Sequence, residues 1–117
     1  MRVLLIDNDD SFTWNLAQLI GSLGAECDVR SHRSLSLQTI ARMRPDRIVI
    51  SAGPGHPKDA KLANTLLRSY THPPSLTQTP VLGVCLGHQC MAHVFGGTSY
   101  IGLAPEVRHG KTSEIFH

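Results

Sequence analysis

Cysteine is scarce in this chain. The three present, Cys27, Cys85 and Cys90, are odd in number and have no Cys-x-x-Cys spacing, so neither a disulfide framework nor a zinc site is indicated, and all three are expected to be reduced. Long apolar runs are missing too: nothing approaches the roughly 20 residues that cross a bilayer. The opening Met1-Arg2-Val3-Leu4-Leu5-Ile6-Asp7 turns acidic too soon for a signal peptide. A soluble, cytoplasmic protein with no membrane partner is the expectation. Charge of one sign is lacking as well. Eleven Lys and Arg stand against nine Asp and Glu, a net +2 without any basic run, so nucleic acid is not an expected partner. There is no repeat, low-complexity tract or internal linker, and 117 residues suffice for one domain with a real core but leave no room for a second.

What the chain does have is an alternation of strands and helices. Residues 3–6 are continuously apolar, as suits a strand covered on both faces in a parallel sheet. Asp7-Asn8-Asp9-Asp10-Ser11 supplies turn and cap residues, and Phe12, Leu16, Leu19, Ile20 and Leu23 then recur at helical spacing until Gly24 stops them. These apolar residues, Trp14 included, are expected in the core. Capping and dipole pairing account for the three aspartates without a metal. The pattern continues with a strand over 26–30, a short helix over 35–43 closed by Arg44-Pro45, a strand over 47–50, a helix over 58–70 and a proline- and threonine-rich connector over 71–80. Beyond Gly96 the β-prone pieces 98–101 and 113–116 are expected to pair as antiparallel strands. The whole predicts an α/β domain built on an open doubly wound, mainly parallel sheet, whose ligands bind at the strand carboxyl ends.

Two loops fall at those ends. Ser51-Ala52-Gly53-Pro54-Gly55-His56-Pro57 is too rich in glycine and proline to be anything but a fixed turn, and its backbone can approach a ligand closely. Pro80-Val81-Leu82-Gly83-Val84-Cys85-Leu86-Gly87-His88-Gln89 runs from a buried strand through a glycine-flanked cysteine into a helix, the layout of a nucleophile elbow. Small neighbours would let the chain bend and expose the sulfur, and the start of a helix favours thiolate over thiol. Taken alone, this pattern also fits a buried cysteine in a tight strand-to-helix connection.

Together with Asp7-Asn8-Asp9-Asp10-Ser11-Phe12-Thr13-Trp14-Asn15, these loops, Phe95-Gly96-Gly97 and His109-Gly110-Lys111-Thr112-Ser113 resemble the class I (triad-type) glutamine amidotransferases, above all the small subunits of anthranilate and aminodeoxychorismate synthases of tryptophan and folate biosynthesis. The resemblance implies a flavodoxin-like sheet and a glutaminase with no cofactor and no metal. It makes Cys85 the nucleophile and the Gly55 and Leu86 amides the oxyanion hole. Gly53, Pro54, Gly55, Leu86 and Gln89 would bind glutamine. His109, Gly110 and Lys111 would face a chorismate-using synthase, the partner that receives ammonia, although an ordered glycine turn explains that segment equally well.

The chain departs from the family pattern at Asp9, where an aromatic is usual, at Ala52, where proline is usual, and at Cys90, where a small residue is usual. Cys90 is expected to face the core. The family's base belongs to a His-x-Glu motif well downstream of the cysteine, and no His-x-Glu occurs in these 117 residues. Residues 1–117 are therefore expected to be the N-terminal part of an amidotransferase domain, incomplete at its C-terminal side, impaired in turnover and prone to self-association through an uncovered sheet. His88, one turn past Cys85, resembles a structural residue rather than a substitute base, and His56 suits a surface role. Two other readings stay open: a non-catalytic module that docks on the synthase, and a different cysteine hydrolase completed by His88 and an N-terminal aspartate.

Overall fold

The apolar run that opens the chain forms β1, Arg2–Asp7, and its four central residues are buried. A computed structural model describes residues 1–71, 78–108 and 111–116. In it β1 pairs in parallel with β2, Glu26–Ser31, on one side and with β3, Arg47–Ile50, on the other, and β3 pairs in parallel with β4, Val81–Gly83, so the order is β2-β1-β3-β4. The chain moves one way from β1 to β2 and the other way from β2 to β3. The switch point, where ligand crevices form in such sheets, thus lies between the ends of β1 and β3.

Alternate residues of β1 face opposite sides, and both sides are covered. Val3, Leu5 and Val49 pack against Leu16, Ala17 and Ile20 of α1, Thr13–Ser22. Leu4, Ile6, Ile48 and Ile50 meet Ile40 of α2, Leu37–Met43, together with Leu66 and Leu67 of α3, Lys61–Arg68, and Leu86 and Cys90 of α4, Leu86–Met91. Helices on both faces make the sheet doubly wound, as the sequence predicts. Each buried Leu or Ile contributes about 1.5–3 kcal/mol relative to exposure, so this second, larger layer dominates the stability.

Local signals set the helix ends. Ser36 caps α2, its Oγ accepting the Thr39 amide at 3.1 Å. Arg44 ends that helix in the left-handed region (φ 48°) just before Pro45, where proline disfavours the right-handed helix. Gly24 (φ 84°) follows α1 as expected of a helix-terminating glycine.

Four expectations need correction. The strand before Cys85, expected to be buried, is not: it lies at the edge of the described sheet and Leu82 is 60% exposed. Trp14 is 64% exposed: it lies about 200° around the helix from Leu16, while Leu16, Ala17 and Ile20 take the sheet-facing stripe, and Phe12, Leu19 and Leu23 are exposed as well. The helix over 58–70 is split. A 3-10 turn, Pro57–Asp59, precedes α3, because Ala60 has ψ 74° and breaks the run. The antiparallel pair beyond Gly96 does not form. Thr98–Tyr100 is a 3-10 turn in which the Tyr100 amide donates to the Gly97 carbonyl at 3.2 Å, and 113–116 is neither paired nor buried. A strand needs a neighbour for its amides, and here the turn satisfies them locally. Residues 72–77 of the expected connector lie outside the described residues. Among the described residues no helix is long and apolar enough to cross a membrane.

Candidate active site

Between β4 and α4 the chain must reverse within two residues. Cys85 takes φ 52° and ψ −107°, a conformation that an L-residue adopts only under strain. The Val84 amide donates to the Ile50 carbonyl at 2.9 Å, the Gly87 amide to Val84 at 3.0 Å, and the Gln89 amide to the Cys85 carbonyl at 3.0 Å. The turn is therefore pinned on both sides of the cysteine. Glycine is required on steric grounds: a Cβ on Gly83 would come within 2.4 Å of the Gly87 carbonyl carbon, and one on Gly87 within 2.3 Å of the Ile50 oxygen. This packing seats α4 directly on the end of β3.

The consequence for the side chains is a clean division. Cys85 is exposed and makes no side-chain hydrogen bond to cap its helix, whereas Leu86 and Cys90 are buried. Burial pushes the Cys90 thiol up to about 11, and its sulfur lies 3.9 Å from the Pro57 carbonyl. Cys90 faces the core, as expected, and Cys85 is the accessible thiol of the pair.

The glycine loop after β3 approaches the same turn. A Cβ on Gly53 would meet the Asn8 carbonyl oxygen at 2.5 Å and Leu86 Cδ2 at 3.0 Å, while Gly55 needs glycine for its φ of 89°. Gly53 is thus wedged between the end of β1 and the start of α4. Two cavities meet at Gly55. One, of about 250 Å³, is lined by Pro54, Gly55 and Leu86 with Asn8, His32 and Lys61; the other, of about 580 Å³, by Gly55, His56, His88 and Gln89 with Tyr100 and Leu103. Pro54, Gly55 and Leu86 line the smaller cavity and Gly55 and Gln89 the larger, whereas Gly53 and Cys85 line neither. His109 and Gly110 lie outside the described residues, and Lys111 is exposed.

The acidic run has turn-forming work. Asp7 Oδ1 accepts the amides of Asp9 and Asp10, at 3.0 and 3.3 Å, and the Thr13 hydroxyl at 2.8 Å; Asp10 Oδ2 accepts the Phe12 amide at 2.9 Å. Asp9, at φ 63°, reaches His32 Nε2 at 3.0 Å and Arg33 at 2.8 Å. The hydrogen bond from His32, with the Arg33 charge, holds the Asp9 carboxyl below the usual carboxylate range. His56 accepts the Lys58 amide through Nδ1 at 3.1 Å, which makes it a cap of the turn over Pro57–Asp59. Among the described residues none hydrogen-bonds to the Cys85 sulfur.

Two sets of residues had no signal that fixed their role. Asn8 and Ser51 were legible as motif members, but their contact spans 43 positions. The Asp9–His32 contact spans 23, and only the pairing of β1 with β2 brings it about.

Comparison with known proteins agrees with this geometry. The family model "Glutamine amidotransferase class-I" matches residues 4–117. The chain is 47% identical over 115 residues to aminodeoxychorismate synthase component 2 of Escherichia coli, covering 98% of this chain and 58% of that one. It is 45% identical to anthranilate synthase component 2 of Thermus thermophilus over its full length and 54% of that protein, and 42% identical to the component 2 of Pyropia yezoensis over 98% and 57%. It therefore spans little more than half the length of these relatives.

Proposed function

Because the chain belongs to the class-I glutamine amidotransferase family, we propose that Cys85 is the nucleophile of a glutaminase. The Cys85 thiolate attacks the side-chain amide carbon of glutamine, and the carbonyl electron pair moves to oxygen. The amides of Gly55 and Leu86 receive that oxyanion, a stabilisation of about 3 kcal/mol per donor. The C–N bond then breaks and nitrogen leaves as ammonia after taking a proton, which gives a γ-glutamyl thioester. Water attacks the thioester, releases glutamate and restores the thiol. Gly53, Pro54 and Gly55 line the amide end of the substrate, and Gln89 binds it from α4.

Ammonia passes to a chorismate-using synthase on the side of His109, Gly110 and Lys111. Residues 1–117 form the N-terminal part of the amidotransferase domain, with glutamine as the small-molecule partner. These 117 residues contain no His-x-Glu pair and none of the described residues hydrogen-bonds to the Cys85 sulfur. A thiol without a base attacks inefficiently, so by themselves they turn over far more slowly than the roughly 10 per second of a typical enzyme. A second copy covers the edge of β4, which among the described residues pairs with β3 alone.

The observation that supports this reading best is the strained, exposed Cys85 at the strand-to-helix turn, directly before Leu86, which lines a cavity with Gly55. Intact-mass labelling with the diazoketone analogue of glutamine, which leaves a thioether on the attacking sulfur with loss of dinitrogen, tests it. One adduct that disappears in Cys85→Ser, formed at least tenfold faster than iodoacetamide reactivity accounts for, is the expected result. An adduct rate no better than that of an ordinary thiol overturns it.

A further inference from the structure

We infer that Asn8 is the positioning residue of the candidate oxyanion loop; this rests on the glutaminase reading above. Asn8 is the first residue past β1 and Ser51 the first past β3, so they face each other across the switch point. Two hydrogen bonds join them. The Asn8 amide donates to Ser51 Oγ at 3.1 Å, and Asn8 Nδ2 donates to the Ser51 carbonyl at 3.0 Å. Ser51 is fully buried and its hydroxyl proton goes to the Ala52 carbonyl at 2.7 Å. The Ser51 amide donates to Ile6 at 3.1 Å. Thr13, also fully buried, donates its proton to Asp7 and lies 3.5 Å from Ser51 Oγ.

This network restrains the loop from two directions. Both carbonyls that precede Gly53 are held, that of Ser51 by the Asn8 side chain and that of Ala52 by the Ser51 hydroxyl. Gly53 itself rests on Asn8, since a Cβ there would come within 2.6 Å of Asn8 Cβ. The loop cannot sink toward β1 without overlapping Asn8, and cannot lift without losing the bond from Nδ2. Asn8 also lines the smaller cavity together with Gly55 and Leu86. Two residues beyond Gly53, the Gly55 amide inherits its height above the sheet from that contact. A displacement of about 1 Å in such a group costs on the order of 100-fold in rate.

Asn8→Asp keeps the shape but replaces the donor with a carboxylate that cannot bond the Ser51 carbonyl. The test is the ratio of Cys85 labelling by the diazoketone analogue to its alkylation by iodoacetamide, in wild type, Asn8→Asp and Asn8→Ala, each checked for a cooperative melt. The expected result is a fall in that ratio of 10- to 100-fold in both variants, with iodoacetamide alkylation within about twofold of wild type. A residue of merely structural importance would slow or expose both reactions together and leave the ratio unmoved. A selective wild type with an unchanged ratio in Asn8→Asp overturns the inference and leaves the glutaminase reading standing, whereas a wild type with no selectivity overturns both. Should either Asn8 variant fail to fold, Ser51→Ala, which removes the hydroxyl that holds the Asn8 amide and the Ala52 carbonyl, is read by the same ratio: a fall supports the role, no change refutes it.

Discussion

The glycines near Cys85 are needed for two different reasons, and substitution separates them. At Gly87 the obstacle is space, because a methyl group would sit 2.3 Å from the Ile50 carbonyl oxygen, which is backbone and cannot rotate away. At Gly55 nothing lies within 4 Å of the added carbon, and the obstacle is the φ of 89°. Overpacking costs about 1–3 kcal/mol, and a left-handed alanine about 1–2 kcal/mol. Gly87→Ala is expected at the top of the first range or to unfold the protein, and Gly55→Ala to lose no more than about 2 kcal/mol. Urea denaturation of both variants measures this, and equal losses would contradict the division. Both glycines were legible in the sequence as parts of tight turns. Which was short of space and which of conformation was not, since that depends on the end of β3 lying under α4, a contact across 37 positions (87 − 50).

Among the elements, the parallel strands and the strand-to-helix turn were readable because continuous apolar runs bounded by Gly, Pro and Asp have few other solutions. The failures have separate causes. Residues 98–101 have β propensity, but propensity forms a strand only where a neighbour supplies the ladder, and the Tyr100 amide instead closes on Gly97. The apolar character of Trp14 points to the core, but the sheet-facing stripe of α1 is Leu16, Ala17 and Ile20. The two loops that carry the candidate site were legible as tight turns, and the contacts that support them were not. The clamp of Asp9 with His32 and Arg33 ties the loop after β1 to the turn after β2. The Asp9 carboxyl is held below its ordinary value by these partners, so the clamp's contribution is fully present above that ordinary value, near 4, and is lost as pH falls through the lowered one. Amide exchange in residues 8–12 and 32–34 is expected to be faster in Asp9→Asn than in wild type at neutral pH. The difference should vanish in acid. Equal exchange at pH 7 would show that the clamp holds nothing.

At the scale of the whole molecule, one face of the sheet carries a much larger core than the other, and its outermost strand is short. β4 contributes three residues and among the described residues pairs on one side only, Leu82 is 60% exposed, and an apolar groove of about 280 Å³ runs past it between Ile20, Leu23 and Val81. Unpaired edges of this kind template association. Light scattering is expected to show a mass that rises with concentration, and Leu82→Lys to lower it, since charge on an edge strand opposes pairing. A monomer at all concentrations in wild type would refute this.

The backbone of Cys85 also says something about how such a molecule drifts. Its φ and ψ of 52° and −107° are the mirror image of an ordinary extended conformation, which glycine occupies as readily as the original and cysteine does not. Replacement of Cys85 by glycine should therefore make the fold more stable, by about 1 kcal/mol or more. In a population of sequences kept only for surviving heat, this cysteine would be among the first residues erased. On the proposed glutaminase reading, reactivity at this position is kept at the expense of backbone stability.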